Sequence, residues 1–164
     1  MSTHDTQPMR VLFVCLGNIC RSPLAEVVVR QEARKMGVAE QLQFASAGTG
    51  SWHVGSGADP RSAATAQQFG LDLSHHKAQQ ITADRVAEWQ WFIAMDRDNY
   101  QQLLTIGVNH EQLLMMRSFE SQHPAPDVPD PYYGGPDGFT SMYKMLCQNA
   151  RPLIESLLAR SREL

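Results

Sequence analysis

Apolar residues fall along the chain in two rhythms. Short runs that are apolar nearly throughout, or that alternate, fit β-strands, while apolar positions three and four apart fit amphipathic helices. Arg10–Val14 (RVLFV), Trp91–Met95 (WFIAM) and Gln112–Met116 (QLLMM) read as strands buried on both faces, and Leu42–Ala47 (LQFASA) as an alternating strand. The first helix is predicted from Pro23, which suits an opening turn, with Ser22 as N-cap and Gly37 as its stop. Leu24, Val27 and Val28 would form its core face. Asp59-Pro60 opens a second helix closed by Gly70, Thr82 caps a short one (TADRVAEW), and Asp96 caps another ending near Gly107. From Phe139 onward, Phe139, Met142, Tyr143, Leu146, Ala150, Leu153, Ile154, Leu157 and Leu158 share one helical face. Pro152 lies inside that pattern and is expected to kink or divide it.

Strands alternating with helices predict an α/β fold in three layers: a four-stranded parallel sheet of order 2-1-3-4 with helices on both faces. One domain is expected over residues 9–164, behind a loose polar tail at 1–8. Two stretches fit neither rhythm. Residues 48–60 hold four Gly and one Pro, and residues 118–138 hold five Pro. A structureless loop of the second length is usually functional or disordered. Ligands of such sheets bind beyond the carboxyl ends of the strands, and Cys15 stands at one such end.

Composition narrows the chemistry. At 164 residues the chain can bury a core without disulfide staples, and 43% apolar with 19% charged residues is ordinary for a globular protein. The net charge of −3, with Lys and Arg scattered, gives no basic block, so nucleic acid is not an expected partner. A single positive cleft could still draw phosphate esters. Three cysteines, Cys15, Cys20 and Cys147, are too few for a disulfide framework and read as reduced thiols. The polar N-terminus and the lack of an apolar stretch near 20 residues lead to the expectation of a cytoplasmic protein with no membrane partner.

The segment VCLGNICRSPLAE, Val14–Glu26, concentrates the reactive residue types. Gly17 and Asn18 tolerate unusual backbone angles, so several successive amides of the turn could converge as an anion nest. The next helix aims its positive end at the same point, and the fork of Arg21 suits two oxygens of a tetrahedral dianion. Cys15 beneath them is expected to favour the thiolate and to attack phosphorus in line. A Walker-type nucleotide loop is excluded, since no Gly-Lys-Ser/Thr follows. The leaving alkoxide or phenoxide needs a proton, and the proline-rich loop offers Asp127, Asp130 and Asp137. Asp130, between Pro129 and Pro131, has the stiffest mount.

Together VCLGNICRSPLAE, SAGTGSWHVG, ADPRS and DPYYGG resemble the low-molecular-weight protein tyrosine phosphatases, from about Val11 to the last helix. The resemblance implies hydrolysis of phosphotyrosine monoesters through a cysteinyl-phosphate, with Cys15 as nucleophile and Asp130 as acid and then base. It implies that Arg21 and the amides of Leu16, Gly17, Asn18, Ile19, Cys20 and Arg21 bind the phosphoryl oxygens, without metal or cofactor. Asn18, Ser22, Ser46 and His76, with His75 as an alternative register, would form a supporting network, and Cys20 a redox partner of the nucleophile. Leu16, Ile19, Trp52, His53, Tyr132 and Tyr133 would line the substrate cleft, where Ile19 in place of the threonine of related arginine phosphatases favours tyrosine. Asp96 and Glu26 are candidates to orient the loop or Arg21. The implied partners are phosphotyrosine proteins, with inorganic phosphate or vanadate-like anions as inhibitors, and a monomer or weak dimer. An arsenate reductase on the same scaffold is the neighbouring alternative, although only Cys147 remains to extend a thiol relay. A silent phosphate-binding module is the other, although nucleophile and acid candidates are both present.

Overall fold

The structure is a computed structural model that describes residues 7–132, 134–135 and 137–162. Of the predicted tail, residues 1–6 lie outside the described residues. Four strands, β1 (Met9–Cys15), β2 (Leu42–Gly48), β3 (Trp91–Ala94) and β4 (Leu113–Met115), form one parallel sheet in the order β2-β1-β3-β4, as the pattern predicts. Among the described residues four α-helices accompany them: α1 (Arg21–Lys35), α2 (Pro60–Gln68), α3 (Arg97–Thr105) and α4 (Asp137–Arg162).

The strand side chains sort by parity, which builds two cores. Val11, Phe13 and Cys15 of β1 and Trp91 and Ile93 of β3 join buried residues of α1 and α4 on one face. Leu12, Val14, Phe92 and Ala94 join Leu103 of α3 on the other. Both faces are therefore covered, which is why β1 and β3 read as unbroken apolar runs.

Three local expectations are corrected. α1 begins at Arg21, with Cys20 as N-cap, so Ser22 lies in the first turn. Its hydroxyl lies against the Cys15 sulfur, and Pro23 still falls where a helical N–H lacks a partner. Along α1, Val29 is fully buried and Val27 only partly, because the face against α4 is rotated from the predicted one. The segment predicted as a capped helix after Thr82 is a 3-10 helix, Ala83–Glu88, and the Thr82 hydroxyl turns to Asp84.

α4 is not divided at Pro152. An interior proline costs about 3 kcal/mol. Beyond it Leu153, Ile154 and Leu157 are fully buried, at about 1.5–3 kcal/mol each. Keeping the helix continuous wins. The strand order places the carboxyl ends of β1 and β3 at the centre of one edge, and the loops that leave them carry the predicted chemistry.

Candidate active site

Cys15 is the last residue of β1 and pairs in register with Gly48 of β2. From there the chain turns through residues 16–20 into α1. The turn is held by its carbonyls. The Cys15 oxygen accepts from Thr49 N–H (2.9 Å), Leu16 from Gly50 N–H (2.9 Å) and Ile19 from Asp59 N–H (2.9 Å). The Asn18 oxygen lies 2.7 Å from His76 Nε2, which must donate. The Cys20 oxygen accepts from Ser62 Oγ (3.1 Å) and from Leu24 N–H (3.4 Å). In a trans peptide the N–H points opposite to the preceding C=O. With these carbonyls drawn outward, the amides of residues 16, 17, 19, 20 and 21 turn to the inside of the loop, an anion nest. Asn18 N–H points to Cys15 Sγ at 3.3 Å.

Asn18 makes the turn possible. Its φ of 58° is left-handed, a region Asn enters more readily than most residues. Its side chain, fully buried, is bonded on both ends. Nδ2 donates to Ser22 Oγ (2.8 Å) and Ser46 Oγ (3.0 Å), and Oδ1 accepts from Gln79 N–H (2.9 Å). Ser22 Oγ lies 2.9 Å from Cys15 Sγ. Because Ser22 already accepts from Asn18, its proton is free to point at the sulfur, the longer contact to the Ala47 oxygen being 3.4 Å.

Arg21 is 3% exposed, and its guanidinium crosses to the third strand and beyond. Nη1 donates to Asp96 Oδ2 (2.6 Å) and to the Val128 carbonyl (3.1 Å), and Nη2 stands 3.6 Å from Asp130 Oδ2. Burial opposes its charge, but Cys15, Asp96 and Asp130 more than offset this and raise its pKa. Asp96 follows β3 and serves twice, as N-cap of α3 through Oδ1 and as the partner of Arg21 through Oδ2.

Cys15, Leu16, Gly17, Ile19, Cys20, Arg21, Trp52, His53, Asp130 and Tyr132 line a single cleft of about 380 Å³. Trp52 is 72% exposed at its rim and lies across Gly50, where even a Cβ would overlap the ring. His53 covers Gly17. Tyr133 lies outside the described residues. Asp130 Oδ1 accepts from Tyr132 N–H (3.0 Å).

The open alternatives separate by position. Asp127 accepts from Arg97 N–H at the start of α3 (2.9 Å) and Asp137 sits in the first turn of α4; neither lines the cleft. His76 reaches the loop, whereas His75 is exposed. Glu26 is paired with Arg30 rather than with the loop or Arg21. Cys147 is exposed on α4, away from the cleft. Cys20 is a buried free thiol, and burial, followed by the charge of Asp59, pushes its pKa well up.

Several contributors carried no signal in the sequence reading. Gln79 binds both Asn18 and, through Nε2, the Ser46 carbonyl (2.9 Å). Gly48 passes so close that a Cβ would meet Leu16 O at 2.7 Å. Asp59 and Arg61, present in the quoted ADPRS motif without a role, form a bidentate pair at 3.1 and 2.9 Å. The position of Asp-Pro-Arg directly after the glycine-rich loop was the available clue.

Known proteins match this chain over most of its length. A family model for low molecular weight phosphotyrosine protein phosphatase matches residues 10–163. The low molecular weight protein-tyrosine phosphatase A of Mycobacterium tuberculosis is 40% identical over 143 residues, covering 86% of each chain. The low molecular weight phosphotyrosine protein phosphatase of Schizosaccharomyces pombe is 34% identical over 155 residues, covering 93% of this chain and 99% of that one. Among solved structures, a protein tyrosine phosphatase from Entamoeba histolytica with Hepes in its active site matches with a TM-score of 0.86 and 34% identity, over 93% of this chain and 99% of that one. With the match running from β1 through α4, and so across both the Cys15 loop and the Asp130 loop, this chain belongs to the low molecular weight phosphotyrosine protein phosphatase family.

Proposed function

We propose that the chain hydrolyses phosphotyrosine monoesters of proteins in two steps through a cysteinyl-phosphate. The observation that carries this reading is the loop over Cys15 Sγ with its carbonyls drawn outward, together with Arg21 and Asp130 lining the same cleft, Asp130 Oδ2 standing 3.6 Å from Arg21 Nη2. The inward amides and Arg21 hold the non-bridging oxygens, where charge spreads in the transition state. Cys15 Sγ forms the S–P bond as the P–O bond to the phenol breaks, and Asp130 gives its proton to the departing oxygen. Asp130, now a carboxylate, takes a proton from water as that water attacks phosphorus and the sulfur leaves. The hydroxyl of Ser22, 2.9 Å from Sγ, supports the sulfur as it regains its charge.

Ile19, Leu16, Trp52 and Tyr132 give the cleft apolar walls suited to a phenyl ring, with Cys15 in the same cleft to meet its phosphate. Inorganic phosphate and vanadate-like anions fit the same nest and are proposed inhibitors. Cys20 is the proposed partner of an oxidised Cys15, and its raised pKa makes it a slow one.

Cys15→Ser and Asp130→Asn test the reading on aryl phosphates. Cys15→Ser should bind vanadate and lose turnover, and residual activity near wild type would remove it as nucleophile. Asp130→Asn should lower kcat/KM for phenyl phosphate by about 10²–10⁴-fold and far less for 4-nitrophenyl phosphate, whose phenolate leaves without help. An equal loss for both would place the acid elsewhere.

A further inference from the structure

We propose that Arg61 is a positioning residue that sets Asp130 over the nucleophile, although it does not line the cleft. This rests on the assignment of Asp130 as the acid.

The loop carrying Asp130 is fastened two residues away on either side. Upstream, Val128 N–H donates to the Met95 carbonyl (2.7 Å), and the Val128 carbonyl accepts from Arg21 (3.1 Å). Downstream, Arg61 Nη1 donates to the Tyr132 carbonyl (2.9 Å). The Arg61 guanidinium also lies 5.1 Å from the Tyr132 ring centre and 4.8 Å from that of Phe139. Tyr132 in turn holds Asp130, since its N–H donates to Asp130 Oδ1. Displacing the Tyr132 backbone therefore displaces the carboxyl.

Arg61 is itself fixed to the nucleophile loop. Asp59 Oδ1 accepts from Arg61 N–H (2.8 Å) and Nε (3.1 Å), and Oδ2 from Nη2 (2.9 Å). The same Asp59 donates its own N–H to the Ile19 carbonyl, and Ser62, next along α2, binds the Cys20 carbonyl. The start of α2 thus grips the nucleophile loop directly and the acid loop through one side chain. It sets the spacing between the two catalytic loops.

Magnitude separates this from a merely structural role. The Arg61 side chain is 46% exposed, and an ion pair so placed adds only modestly to stability. A misplacement of about 1 Å at a reacting group, by contrast, costs up to about 10²-fold in rate.

The test is kcat/KM for wild type, R61M, R61K, D130N and the R61M/D130N double variant, on phenyl and 4-nitrophenyl phosphate. For R61M we expect a loss of about 10–50-fold on phenyl phosphate, at most about 3-fold on 4-nitrophenyl phosphate, and phosphate inhibition within about 2-fold of wild type. R61K keeps the charge but loses the fork that spans Asp59 and Tyr132, and should fall between wild type and R61M. The double variant should be no worse than D130N on phenyl phosphate, because an absent acid cannot be misplaced. A loss in R61M equal on both substrates, or fully additive with D130N, overturns the positioning role. If D130N itself shows equal losses, the acid assignment is what fails. Should R61M not fold, R61Q carries the same expectations and the same refuting outcomes.

Discussion

Gly48 shows how one missing carbon shapes the site. It ends β2 beside Cys15, and a Cβ there would stand 2.7 Å from Leu16 O, 3.1 Å from Gly17 C and 3.2 Å from Asn18 N. All three are backbone atoms of the loop that follows Cys15, so no side chain can swing aside. Gly48→Ala must push the loop, and with it the ring of amides. We expect kcat/KM to fall by about 10–100-fold with the far-ultraviolet circular dichroism unchanged; near-normal activity would mean that the loop shifts at no cost to its function. Gly48 also marks what the sequence withholds. The spacing of Cys15, Asn18, Arg21 and Ser22 is legible because one short turn must satisfy all of them. Gly48, Gln79, Arg61 and the Val128 carbonyl meet that turn only through the fold, so no local spacing announces them. The histidine register was open for the same reason, since only tertiary placement brings His76 rather than His75 to the Asn18 carbonyl.

At the scale of elements, short apolar runs and helical period predict four strands and the buried face of α4, and the order chosen within the limits of right-handed crossovers is the one observed. They failed where a side chain had two possible uses. Ser22 has the chemistry of an N-cap, but its hydroxyl goes to Cys15 and Asn18, and the helix starts at Arg21 without a side-chain cap. Pro152 has the chemistry of a break, but the apolar residues after it hold α4 together. The proline is then a standing cost within a continuous helix. Pro152→Ala restores an N–H and relieves the ring clash, and should stabilise the protein by about 1–3 kcal/mol with kcat/KM unchanged. The check is a pair of urea unfolding curves with equal slopes. A variant no more stable than wild type would show that α4 accommodates the proline without strain.

Over the whole molecule, two carboxylates hold the Asp130 loop to its surroundings through arginines, and both are held below the ordinary carboxylate range. Hydrogen bonds from Arg61 keep Asp59 below the ordinary carboxylate range. Glu120 is lowered by Arg117 and then by Asn149 of α4. Arg117 also donates to the Asp127 carbonyl (2.7 Å), so Glu120 steadies the loop upstream of Asp130 as Asp59 does downstream through Arg61. In the unfolded chain these groups return to about 3.9 for Asp and 4.3 for Glu. As the pH falls, the unfolded state takes up their protons first, so acid favours unfolding. Their stabilisation is complete above about pH 5 and disappears as the pH drops through their lower folded values. Asp59→Asn and Glu120→Gln should therefore be less stable than wild type at pH 7, and the gap should close progressively below about pH 4. Urea midpoints measured from pH 7 down to pH 3 give the comparison. A gap that stays constant over that range would mean that these carboxylates contribute through packing rather than charge. A gap that widens would reverse the sign of the linkage, and the two arginines could not then be what holds these carboxylates low.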